Sequence, residues 1–216
     1  MMTAARASRP RRAWRRAARS FAAVCAASAF AALTFGCAAK SAVTQEYLDP
    51  QTAVTIRAVA TPLIYAHEVP QLAANVRDYL SVGAVEVNNM GKRQHYLAVV
   101  SWSTVDRKRA AIAPPPLPER LRMTLGGTVR ELTPASHEPR SLGIGEPLFR
   151  PTGGYLGETW YVITVADLRA FAAARPDELE VADEPAIVSY SVWKDAVAEL
   201  ADFVRDIPDA IQAQQH

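Results

Sequence analysis

Two apolar, β-branched runs sit back to back in the middle of the chain, Tyr79–Asn88 and His95–Thr104, with Asn88-Asn89-Met90-Gly91 at their junction. Val, Thr, Tyr and Trp in such runs favour extended backbone. Asn and Gly together supply the left-handed positions that a tight reversal needs. The pair predicts a long antiparallel hairpin. That hairpin constrains the fold more than any other feature, because two strands of this length must be covered to be stable.

The rest of the chain supplies more of the same. Ala53–Ala60 and Leu63–Ala66 read as strands before the hairpin. Leu121–Leu125, Gly126-Gly127 and Thr128–Leu132 read as a second hairpin after it. Ala110–Pro118, with four prolines, must be loop or polyproline II, since proline has no N–H for a ladder. Residues 134–157 are rich in Pro and Gly and aperiodic, and predict a long loop with at most a short strand at Pro147–Arg150. Glu158–Thr164 follows as a strand. Thr164 with Asp167 three residues on marks a helix start, and Leu168, Phe171 and Ala172 give that helix an inward side. Glu178–Ala182 and Ala186–Val192 are strands. A last helix runs from Trp193 to Ile207, with Trp193, Ala196, Val197, Leu200, Phe203, Val204 and Ile207 on one side and charges on the other. The expected class is α+β: a mostly antiparallel β-sheet or sandwich, with two helices near the C-terminus packing on it.

The first 36 residues have a different character. Residues 1–20 carry seven arginines (Arg6, Arg9, Arg11, Arg12, Arg15, Arg16 and Arg19) and no acid. Phe21–Phe35 is an uncharged apolar run rich in alanine, and Gly36-Cys37-Ala38-Ala39 follows. A basic region, a short apolar region and a small-residue exit make a secretory signal. The run is shorter than the roughly 20 residues of a permanent span. Without those seven arginines the chain keeps 17 basic and 22 acidic residues, a net charge of 17 − 22 = −5. A mildly acidic body argues against nucleic acid as a partner, whose phosphates call for clustered Lys and Arg. Residues 1–36 are therefore expected as signal peptide, 37–48 as a tether, and 49–216 as one globular α+β domain.

Cys25 lies inside the apolar run, and Cys37 is the only cysteine after it. Leu33-Thr34-Phe35-Gly36-Cys37 resembles the lipobox of bacterial lipoproteins, in which the cysteine becomes diacylated and N-terminal. Leu33 stands one place earlier than in that family, and Phe35 stands where it has a small residue. Ordinary cleavage near Ala38 or Ala39 is the alternative. The resemblance covers residues 1–40 and is to the small envelope lipoproteins of Gram-negative bacteria. It implies lipidation at Cys37, a membrane partner through the anchor, and, with Ala38 next, an outer membrane address facing the periplasm.

Patterns that carry chemistry elsewhere are thin here. Ser191-Val192-Trp193-Lys194 matches S-x-x-K, in which a lysine one helical turn on takes the serine's proton, but its K-T-G and S-D-N companions are absent. A Ser at a helix start is ordinarily a cap. His67-Glu68 and His137-Glu138 lack the i,i+4 histidine of a zinc helix, and surface histidines are the expectation, with no metal or other cofactor. Gly143-Ile144-Gly145 is no dinucleotide loop. Arg107-Lys108-Arg109 reads as a solvated rim, and Trp102, Trp160 and Trp193 as core. The function these observations imply is a non-enzymatic accessory or binding module of the envelope, facing a protein partner or the cell wall. The alternatives are a carrier holding an apolar ligand between sheet and helices, and a serine hydrolase using Ser191 and Lys194.

Overall fold

The computed structural model describes residues 44–208, apart from 74, 108, 116, 184 and 185. The expected signal, Cys37 and the start of the tether lie outside the described residues. The central hairpin forms as β4 (Arg77–Asn89) and β5 (Lys92–Ser103), in unbroken register from Asp78↔Ser103 to Asn89↔Lys92. Met90 and Gly91 both take positive φ at its turn, the conformation whose twist matches a right-handed strand pair. Nearly all of β4 and the second half of β5 are buried on both faces, which explains why their sequences read as continuous apolar runs rather than alternating ones.

Around this hairpin the chain adds β1 (Thr44–Leu48), β2 (Thr55–Val59) and β3 (Leu63–Glu68) before it. After it come β6 (Arg120–Leu125), β7 (Thr128–Leu132), β8 (Pro134–Ser136), β9 (Gly154–Val162), β10 (Glu178–Asp183) and β11 (Ala186–Lys194). All eleven strands form one sheet, ordered β7-β6-β10-β11-β3-β4-β5-β9-β8, with every pairing antiparallel; the β1–β2 pair joins it along the second half of β4. The two ends of that order, β7 and β8, are separated in the chain only by Thr133. The sheet must therefore curl until its edges almost meet. It is a nearly closed barrel, not a two-sheet sandwich.

Helix α1 (Val165–Ala174) starts where Thr164 accepts the Asp167 N–H at 3.0 Å, and buries Leu168, Phe171 and Ala172. Helix α2 (Val197–Arg205) buries Val197, Leu200, Phe203 and Val204. The two pack on each other, α1 against β6 and α2 against β2 and β4. They cover the face of β4 that carries Leu80, Val82 and Ala84, where Leu63, Tyr65, Leu97 and Tyr161 join one continuous core.

The opposite face of β4, β5 and β9 is covered by the aperiodic segment. Phe149 lies on Gly83, where any Cβ would sit inside its ring, and Ile144 is fully buried. The segment is pinned to the β1–β2 turn by Asp49, which accepts the Gly145 N–H at 2.7 Å and the Gln51 N–H at 2.8 Å. These hydrogen bonds hold the Asp49 carboxyl below its ordinary range, the Gly145 bond first.

Several expectations need correction. Residues 147–150 are loop, but the expected long loop of 134–157 also holds β8, one 3-10 turn, Pro139–Leu142, and the first four residues of β9, which starts at Gly154 rather than Glu158. Residues 44–48 of the expected tether are a strand of the sheet. The last helix does not begin at Trp193. That residue sits at a bulge in β11, where the ladder shifts register between Val192 and Lys194, and it is 57% exposed. Asp195 accepts the Val197 N–H at 2.8 Å, and the helix starts there.

Candidate functional site

Strand register brings together charges that the sequence scatters over fifty residues. Glu46 of β1 lies opposite Arg57 of β2, Arg57 opposite Glu86 of β4, and Glu86 opposite His95 of β5. The result is one row of alternating charge across four strands, with neighbours about 5 Å apart. Thr55, Asn88 and Arg93 make a second row beside it, toward the strand ends. These rows floor a cleft of about 490 Å3, whose other wall is the end of α2 at Asp206 and Pro208.

Three of the four inner-row groups, Arg57, Glu86 and His95, have partners. His95 Nε2 is 3.0 Å from one oxygen of Glu86, and Arg93 Nη1 is 3.7 Å from the other. The His95 hydrogen bond is the main reason the buried Glu86 carboxyl titrates below its usual range; burial opposes it. Arg57 donates to the Phe203 carbonyl at 2.9 Å, lies 3.5 Å from the Asp206 carboxylate, and spreads its guanidinium 4.7 Å above the Phe203 ring. It caps the carbonyl end of α2, where a cation is favoured, and so fixes the cleft's outer wall to its floor. Arg93 is the most exposed base of the floor, at 46%.

A second charged cluster occupies the other end of the same hairpin. Arg107 is buried against Asp78, and its other amino group donates to the Ala113 carbonyl at 3.1 Å. The expected solvated rim is thus, at Arg107, a buried ion pair that holds the proline-rich connector down. That connector also packs Leu117 on Gly157, and its Pro118 carbonyl accepts the Tyr161 hydroxyl at 2.7 Å. Asp78 Oδ1 and Arg107 Nε are buried without a hydrogen-bond partner. Burial pushes the neighbouring Tyr190 hydroxyl up to about 12.

Ser191 and Lys194 lie in β11, opposite Ala66 and Ile64. Three residues of strand span about 10 Å, so the one-turn helical spacing that S-x-x-K relies on is not formed. The three described histidines are not bare surface groups: His67 Nδ1 is 3.0 Å from the Ser189 carbonyl, His137 Nδ1 is 3.1 Å from Thr159 Oγ1, and His95 is tied to Glu86. Among the described residues no three His, Cys, Asp or Glu side chains group as a metal site would need, and no helix is long and apolar enough to cross a membrane. Trp102 and Trp160 are core as expected, whereas Trp193 lies under the Arg77 guanidinium, 4.8 Å from its ring centre.

Sequence reasoning missed the cleft. The one available signal was an acid, Glu86, inside the apolar run Val85-Glu86-Val87. A carboxylate in a strand buried on both faces needs a cation beside it. No family model matches the chain, and no curated protein or solved structure is detectably similar to it.

Proposed function

We propose that the protein is an exported envelope lipoprotein, anchored by lipid at Cys37 on the periplasmic side of the outer membrane. It acts as a non-enzymatic binding module toward an envelope protein or the cell wall. The address rests on the order of seven arginines, an apolar run and Cys37. The binding reading rests on the cleft: a polar hollow whose charged floor is fixed by strand register and whose wall is fixed by Arg57. Rigid, pre-paired groups of this kind suit recognition, because little ordering remains to be done on binding. Labelled palmitate should enter the wild-type protein and not Cys37→Ser, and the wild type should need detergent for extraction from membranes. A soluble, unlabelled chain beginning at Ala38 or later would remove the anchor. A pull-down from solubilised envelopes that recovers neither protein nor cell-wall polymer would remove the binding role.

A second reading, carriage of a small apolar ligand, has one observation in its favour. Ala172, Ala173, Ala201 and Val204 line an open groove of about 320 Å3 between α1 and α2. It lies on the outer side of the helix pair, whereas Leu168, Phe171, Leu200 and Phe203 fill the space between helices and sheet. Saturable uptake of a fluorescent fatty acid, lost in Ala201→Arg, would favour carriage; no uptake would end it.

A further inference from the structure

We infer that the cleft between the strand ends of β1, β2, β4, β5 and the end of α2 binds the oxyanion of a small ligand, a carboxylate or a phosphate, over Asn88 and Arg93. The inference rests on the binding-module reading and names the chemistry of its site.

The two rows differ in the donors they leave free. In the inner row Glu86 takes His95 and Arg93, and Arg57 takes Asp206 and the α2 carbonyls. In the outer row donors remain. Asn88 Oδ1 accepts the Gly91 N–H at 2.9 Å, which leaves its amide hydrogens for the cleft it lines. Arg93 meets Glu86 through one nitrogen at 3.7 Å and is 46% exposed, so most of its five N–H donors remain for a ligand. The Thr55 hydroxyl completes the row. These three side chains stand on adjacent strands about 4.8 Å apart. Two neighbouring donors at that spacing, one a guanidinium, match the paired oxygens of a carboxylate or phosphate. Of the acids lining the cleft, Glu46 and Asp206 lie on the Arg57 side, and Glu86, the one beside Arg93, is 7% exposed and already held by His95 and Arg93. An anion over Arg93 and Asn88 therefore avoids the two exposed acids and meets the outer-row donors.

The test is calorimetric titration of the full chain in non-ionic detergent, at constant ionic strength, with sodium phosphate and with sodium acetate. Saturable binding of at least one is expected. Arg93→Gln should weaken it about tenfold or more, since a charge-assisted bond is worth at least a decade in affinity. Thr55→Val should weaken it less, and Arg122→Gln, on the far β6, should leave it unchanged. Circular dichroism should show each variant folded. Sedimentation with vesicles then separates the sources. Arg93-dependent binding to phosphatidylglycerol vesicles over phosphatidylcholine would make the oxyanion a lipid phosphate, and binding of soluble phosphate or acetate alone a free small molecule. No saturable heat with either ion, or equal binding by Arg93→Gln, overturns the inference. If envelope pull-downs still recover a partner in that case, the module reading stands and only the ligand class is wrong.

Discussion

Asp78 and Glu86 project from the same face of β4, eight residues or about 27 Å apart, and their surroundings differ at each point. Asp78 has one buried arginine, and the proline-rich connector lies over the pair. Glu86 has His95 and Arg93, with Arg57 opposite, and opens on a cleft. The first arrangement keeps unpartnered polar atoms, Asp78 Oδ1 and Arg107 Nε, out of water. The second leaves Arg93 half in water. A buried charge pair of the first kind fixes structure at an energetic cost, whereas an exposed one contributes little to stability and stays available to a ligand. One hairpin thus has a closing end and a receiving end.

The largest expected effect is at the closing end. Arg107→Met leaves Asp78 buried without its counter-charge and should cost about 3–5 kcal/mol in a urea melt. The double variant with Asp78→Leu should recover most of it. Equal losses in the single and double variants would show that the pair itself, not the stranded charge, matters. Next comes the helix that walls the receiving end. Leu200→Ala removes a fully buried side chain of α2 and should cost about 2–5 kcal/mol as a cavity; a loss below about half a kcal/mol would mean that α2 carries little of the core.

Glu86→Gln should cost less, about 1–3 kcal/mol, because a charge-assisted bond becomes a neutral one. The pH dependence has a fixed sign. The folded protein holds Glu86 below its ordinary titration range, so its contribution is full above the unfolded value and is lost as pH falls through the depressed one. The variant should lack that acid-side loss in melts taken between neutral and strongly acid pH. An unchanged acid limb would place the proton elsewhere. The smallest effect is Arg93→Gln, under about 1 kcal/mol for so exposed a pair. A loss comparable to that of Arg107→Met would erase the distinction between the two ends.

Local chemistry made much of the fold legible. The two glycine-bearing turns, the Thr164 cap and the stripe from Ala196 to Ile207 each depend on residues a few places apart, and each forms. The stripe misled only at its start, because Trp193 falls in phase with it by position although a bulge and the Asp195–Val197 bond keep it in the strand. The cleft is a different kind of object. The hairpin turn sets Glu86 opposite His95, but Glu46 and Arg57 join them only once β1 and β2 are in register with β4, and nothing local to those residues encodes that register. Arg107 was misread because its partner Asp78 is 29 residues away, at the start of β4, and comes beside it only when the hairpin has closed as far as the Asp78–Ser103 rung.

The placement of β3 has a consequence for the order of events in folding. Its two neighbours are β4, which follows within ten residues, and β11, made of residues 186–194. As the polypeptide emerges from its N-terminus, the β4 side of β3 can pair early. Its other edge waits until almost the whole chain has been released, and closing so long a loop is slow. Until then that edge offers unpaired N–H and C=O groups to any other extended segment. Shortened chains ending before Ala186 should therefore accumulate in aggregates or be degraded rather than persist as partial barrels.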